Sequence, residues 1–299
     1  MSPVLREQLL LLPEYLQGHL ALTFAALGAG IAMSVPLGIV ASRSPRIRHP
    51  LLATVSLIQT VPGLAILALV VAMLGGQIGF LPAFIALTLY SMLPIMRNTV
   101  SGLEGVPAEV VEAARGIGLA PRQRLWKVEL PLALPVIVAG IRTAAVWTVG
   151  MATLSTLVGA SSFGNYIFIG IQTRNLTAVT VGSLAAAALA ILLDTLIGSL
   201  QWIAERRAIG VGLRELRRAI VLAVTLSLAF AMALVFTLKP APKPDFIVGG
   251  KPFTEQYILA SLLAERLTAE GFLVEQHAAH IGMYNNRIRR SVGILWARY

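Results

Sequence analysis

Few residues in this chain have the types and spacing that chemistry needs. There is no cysteine, which removes disulfides and cysteine-ligated metal sites. His19 and His49 each stand alone near the ends of apolar runs, and His277 and His280 sit in the C-terminal tail, so no metal site is assigned. No G-x-x-x-x-G-K-[ST] loop is present to cradle ATP phosphates. The nearest fragment, Gly249–Pro252, lacks the first glycine and the Ser/Thr. Three polar groupings remain. Arg142 and Asp194 lie inside apolar stretches, where each needs a partner, a route to the surface or a wet cavity, and an intramembrane ion pair between them fits both depths. Gln59, Thr60 and Pro62 sit mid-run; Pro62 leaves the carbonyl of Ile58 without its helical donor, a group that Gln59, Thr60 or water could satisfy where that face lines a cavity or translocation pathway. The third grouping is the polar segment 107–131.

The elements that must position these groups follow from composition. The 299 residues are 57% hydrophobic and only 13% charged, with a mean hydropathy of +0.78. That excludes an ordinary soluble enzyme and predicts an all-α polytopic membrane protein. Six apolar stretches of membrane-spanning length stand at 20–42, 52–74, 80–97, 132–158, 178–200 and 219–238. Residues 1–19 read as an amphipathic helix at the outer interface, because Pro13 and Glu14 interrupt their apolar run. Trp147 and Tyr166 read as packing or interfacial anchors.

Charge orients the spans. The loops after the first, third and fifth stretches hold 13 basic residues against six acidic ones, which makes that side cytoplasmic. Both the N-terminus and the segment after 238 are then extracytoplasmic. The net charge of +10 reports topology together with four arginines in the tail, and nucleic acid is not an expected partner.

Segment 107–131 reads PAEVVEAARGIGLAPRQRLWKVELP. Pro107 can open a helix through Ala114, and Gly118 can stop it. Leu119, Leu125, Trp126, Val128 and Leu130 would leave apolar surface in a loop, and such surface calls for a partner. Glu112, Ala113, Ala114, Gly118, Val128, Leu130 and Pro131 match the E-A-A, x3, G, x9, I-x-L-P pattern, with Val for Ile. Here the chain resembles the permeases of bacterial ABC importers. The resemblance implies a type I ABC importer transmembrane domain over 20–218, with 219–238 as an additional transmembrane helix. It also implies two ATPase subunits docked on these loops, a second identical or paralogous permease, and contact with membrane lipid. The chain itself would be no enzyme and bind no cofactor; ATP and Mg would sit in the partner ATPase.

The stretches IQTVPGLAILAL, LYSMLPIMRNTVSGLEGVP and LAILLDTLIGSL, and the segment 139–171, resemble permeases for glycine betaine, choline, carnitine and related osmoprotectants. That family commonly has a glycine pair where Ser161 and Ser162 stand. A Pro-rich linker at 239–244 leads to a short extracytoplasmic α/β fragment, 245–276, with strands at 246–248 and 272–275 around a helix beginning near Thr254. Its F-T-E-Q turn resembles the start of an osmoprotectant-binding protein, implying such a receptor as partner and a truncated copy of it here. The tail 277–299 matches nothing in the family; an anionic-lipid role is its alternative. The expected function is ATP-driven osmoprotectant import across the bacterial cell (inner) membrane. The rivals are an ion-coupled transporter or channel, and a non-transporting remnant.

Overall fold

The computed structural model describes residues 3–208, 246–250, 254–272, 274–278 and 293–294, together with 221 and 225. The chain divides into two units, Met1–Leu238 and Lys239–Tyr299.

The first unit is helical. In order it holds α1 (Pro3–Ser42), α2 (Pro45–Thr60), α3 (Gly63–Met73), α4 (Phe80–Glu104), α5 (Ala108–Gly116), α6 (Pro121–Arg124), a π-helical segment (Leu125–Glu129), α7 (Leu130–Leu154), a 3-10 turn (Ser155–Val158), α8 (Gly164–Gln172) and α9 (Leu176–Ala208). Neighbours pack in the series α1, α4, α7, α9. Small residues permit the close approaches: a Cβ on Gly140 of α7 would lie 2.7 Å from the Pro94 carbonyl of α4. Ile66, Leu67, Ala83, Ala86, Leu87 and Ala152 form the largest buried cluster.

Four described helices are long and apolar enough to cross a membrane, or five if the α2–α3 pair counts as one crossing. Two expectations change. The stretch 52–74 is no single straight helix, because α2 and α3 meet at a 102° bend. Pro62 has no N–H to continue the ladder, and Val61 is extended. Residues 3–19 form no separate interfacial segment but run directly into the first span as α1. Leu12, Tyr15 and Leu16 pack against Leu20, Phe163, Tyr166 and Leu189, so tertiary contacts carry the helix through Pro13. The stretch 219–238 lies almost wholly outside the described residues.

The contacts define two ends of the bundle. At the loop end, Arg48 at the start of α2 is ion-paired with Glu104 at the end of α4. At the far end the Gly79 N–H donates to the Val158 carbonyl at 2.7 Å. The bent α2–α3 pair therefore still leads from one end to the other.

The second unit, by itself, is a parallel sheet in the order β2-β1-β3, made of β1 (Phe246–Gly250), β2 (Val274–Ala278) and β3 (Gly293–Ile294). The helix α10 (Thr254–Ala269) connects β1 to β2 and packs on both.

Candidate functional site: the loop, the break and the ion pair

Pro107 caps α5, whose ladder closes when Gly118 turns left-handed at φ +83° and Leu119 N–H returns to the Ala114 carbonyl at 3.1 Å. Among the motif residues, Glu112 and Ala113 are exposed on α5, Ala114 is buried, and Val128 is half-buried in the π segment. Leu130 packs with Leu103, Ala133 and Ile137 and leads into Pro131, which is exposed at the start of α7. The motif thus forms one continuous ledge.

The apolar surface of this ledge differs from the sequence expectation. Leu125 and Leu130 turn inward onto the bundle, while Leu119 and Val128 are half-buried. Of the expected residues Trp126 remains, 69% exposed, and Ile117, which is not among them, is 78% exposed. The inward turn is built by the π segment, whose wider bonding, Leu130 N–H to the Leu125 carbonyl, carries the loop into α7. At its base Glu129, with a side chain only 4% exposed, is clasped by Arg43 and by Arg124, the latter at 2.6 Å. Sequence reading singled out neither Glu129 nor its two partners as a unit.

At the break, the Ile58 carbonyl finds the Val61 N–H at 3.3 Å, so neither Gln59, Thr60 nor water is needed there. Thr60 Oγ1 instead donates to Leu57, and Gln59 Nε2 reaches the Tyr90 carbonyl at 3.4 Å. The Tyr90 hydroxyl donates to the Val61 carbonyl, so a single residue of α4 holds the end of α2 at the break. Thr60 and Pro62 are exposed.

Arg142 and Asp194 are brought together as a two-pronged pair: Nε to Oδ1 and Nη2 to Oδ2, both 2.6 Å. It joins α7 to α9, with both side chains half-exposed.

The far end is closed by neutral hydrogen bonds. Ser162 Oγ lies 2.7 Å from Thr156 Oγ1 and accepts from Gly164 N–H at 3.1 Å, while Asn165 Oδ1 accepts from both Ser162 N–H and Thr156 Oγ1. His19, expected to stand alone, is fully buried and stacked on Phe163, and its Nδ1 accepts from Phe163 N–H at 3.3 Å. The Tyr166 hydroxyl donates to the Gln8 carbonyl, whereas Trp147 is exposed. Among the described residues no group of three or more His, Asp or Glu could hold a metal ion.

Residues 34–210 match the family described as "Binding-protein-dependent transport system inner membrane component". The choline transport system permease protein OpuBB of Bacillus subtilis (strain 168) is 39% identical over 199 residues, covering 67% of this chain and 89% of that protein. The osmoprotectant import permease protein OsmY of Salmonella typhimurium is 43% identical over 192 residues, 64% of this chain and 79% of that one. The ergothioneine transport permease/ergothioneine binding protein EgtU of Helicobacter pylori is 33% identical over 285 residues, covering 93% of this chain but 47% of that longer protein. Among solved structures, the methionine ABC transporter MetNI, in an inward-facing conformation, covers 71% of this chain with a TM-score of 0.58 and 23% identity, a likeness of fold.

Proposed function

Because the chain belongs to the family of binding-protein-dependent transport system inner membrane components, multi-pass permeases that are not themselves enzymes, we propose that it is the transmembrane subunit of an ATP-driven osmoprotectant importer. A separate ATPase docks on the α5 ledge, and an extracytoplasmic binding protein delivers a quaternary amine such as glycine betaine, choline or carnitine. The loop end, rich in arginine, faces the cytoplasm. Two permease copies, or this chain and a paralogue, enclose the route. ATP and Mg are held by the ATPase. When the ATPase pair closes, it moves the two ledges together; Glu129, clasped to Arg43 and Arg124, passes that motion to α1 and α7.

The observation that carries this reading is the ledge itself: a nine-residue helix stopped by a left-handed glycine, presenting Ile117 and Trp126 to solvent beside a matching motif. Among the described residues nothing covers the apolar pair, and a protein cleft would. Co-purification with the candidate ATPase and quaternary-amine uptake test it, comparing the native loop with Gly118→Asp and Glu112→Lys. Both variants are expected to lose ATPase binding and uptake; unchanged binding and uptake in both would remove the coupling assignment.

A further inference from the structure

The ion pair stands at a depth where it constrains what lies outside it. Arg142 is 12 residues from each end of α7, Leu130 and Leu154, about 18 Å at 1.5 Å per residue, which is mid-membrane for a crossing helix. Its side chain and that of Asp194 are 40% and 37% exposed in the chain. Asp194 takes up two of the five guanidinium N–H groups, and among the described residues nothing accepts from the other three. Acyl chains would leave those donors unsatisfied at a cost of several kcal/mol. The α7–α9 seam therefore does not face hydrocarbon.

A second observation extends the argument along the whole of α9. Ser183, Asp194, Gln201 and Glu205 recur at spacings of 11, 7 and 4, which brings them within about 40° of one another around a 3.6-residue helix. Gln201 Nε2 bonds Glu205 Oε1 at 2.9 Å along that line, and Ser183 and Glu205 are exposed. Gly198, between Asp194 and Gln201, leaves room for the Arg142 guanidinium: a Cβ there would lie 3.2 Å from Arg142 Cζ. The adjacent side of α9 is different. It exposes Leu184 and Ile191, 64% and 67% open, as a lipid-facing surface would. One helix thus carries a polar stripe spanning roughly 33 Å between Ser183 and Glu205 at 1.5 Å per residue, beside an apolar one.

We propose that the polar stripe of α9, with Arg142 of α7 reaching onto it, is a wall of the hydrated route along which a small polar solute crosses. The proposal rests on the importer reading and locates its pathway on α9 and α7, beyond the α2–α3 break. Water supplies the acceptors that Arg142 lacks, and the guanidinium and carboxylate hold the two helices while presenting no net charge from the pair itself. A second copy covering the stripe would have to supply those acceptors from its own side chains.

Because the chain has no cysteine, single cysteines report directly. Ser183→Cys and Gln201→Cys on the stripe are compared with Leu184→Cys and Ile191→Cys on the apolar side, in the assembled transporter in membranes, using a charged, membrane-impermeant maleimide. Ser183 and Leu184 are adjacent, so they share a depth and differ in direction. The stripe positions are expected to react at least about ten-fold faster, because the reacting thiolate forms in water and not in hydrocarbon. Equal, slow labelling of Ser183→Cys and Leu184→Cys overturns the proposal, as does a disulfide between two copies at Ser183→Cys that shields it from the reagent. Labelling needs no transported solute. Loss of ATPase co-purification or uptake by the unmodified chain would instead remove the importer reading while leaving the labelling pattern interpretable.

Discussion

The two ends of the bundle are held by opposite chemistry. At the loop end charge does the work: Arg43 and Arg124 on Glu129, and Arg48 on Glu104, connect α1, α2, α4, α6 and the π segment. At the far end the hydrogen bonds around buried Phe163 are neutral, made by Ser162, Thr156, Asn165, His19 and Tyr166. Ion pairs tolerate small changes of distance and angle better than a packed network of short neutral bonds, since Coulomb attraction falls slowly with separation. A joint that must move with a docked partner suits the first kind. A seal suits the second.

The largest expected effect tests the charged joint. Glu129→Gln removes the one carboxylate that two guanidiniums share in a buried setting, and breaking such a pair from one side costs about 3 kcal/mol. Thermal unfolding in detergent should show that loss, and ATPase co-purification should fall with it. If stability drops while ATPase binding and ATP-dependent uptake stay native, Glu129 is a structural pin and the contrast between the ends loses its mechanical meaning. Next in size is Gly164→Ala at the far end. A Cβ there would lie 2.6 Å from Thr156 Oγ1 and collide with the Thr153 carbonyl, so about 2 kcal/mol of overpacking strain is expected. Unfolding should begin at a lower temperature while the loop still binds ATPase. Loss of ATPase binding in this variant would mean that the ends are not independent.

How much of this was legible in the sequence depends on what kind of interaction fixes each part. The ledge was legible because Pro107, the small residues of α5 and Gly118 act locally, through capping and a positive φ. The Arg142 and Asp194 pairing was legible from depth alone, since two isolated charges in apolar runs have few alternatives. The bend after Thr60 was hidden because the run remains apolar enough through Pro62 to read as one span, and its holder, Tyr90, stands 29 residues from Val61. The inward turn of Leu125 and Leu130 was hidden for the same reason, since Leu103 and Ile137 decide it. Continuity of α1 through Pro13 depends on α8 and α9. The polar stripe of α9 was present in the spacing, yet averaging hydropathy around a helix erases a one-sided pattern.

Two smaller effects sharpen the contrast through its response to salt. Tyr166→Phe deletes the hydroxyl that meets the Gln8 carbonyl, a buried neutral bond worth about 1 kcal/mol. Glu104→Gln deletes the partner of Arg48, a pair whose two side chains are both partly exposed, and such pairs contribute about 0.5 kcal/mol. The discriminating measurement is the melting shift of each variant in low salt and in about 1 M salt, where the Debye length falls to roughly 3 Å. The shift caused by Glu104→Gln should vanish at high salt, because the intact protein has lost the attraction too. The shift caused by Tyr166→Phe should persist, because the deleted bond to the Gln8 carbonyl joins two neutral groups. Equal salt sensitivity at both positions would show that the far end is held electrostatically as well, and the division between a charged joint and a neutral seal would not stand.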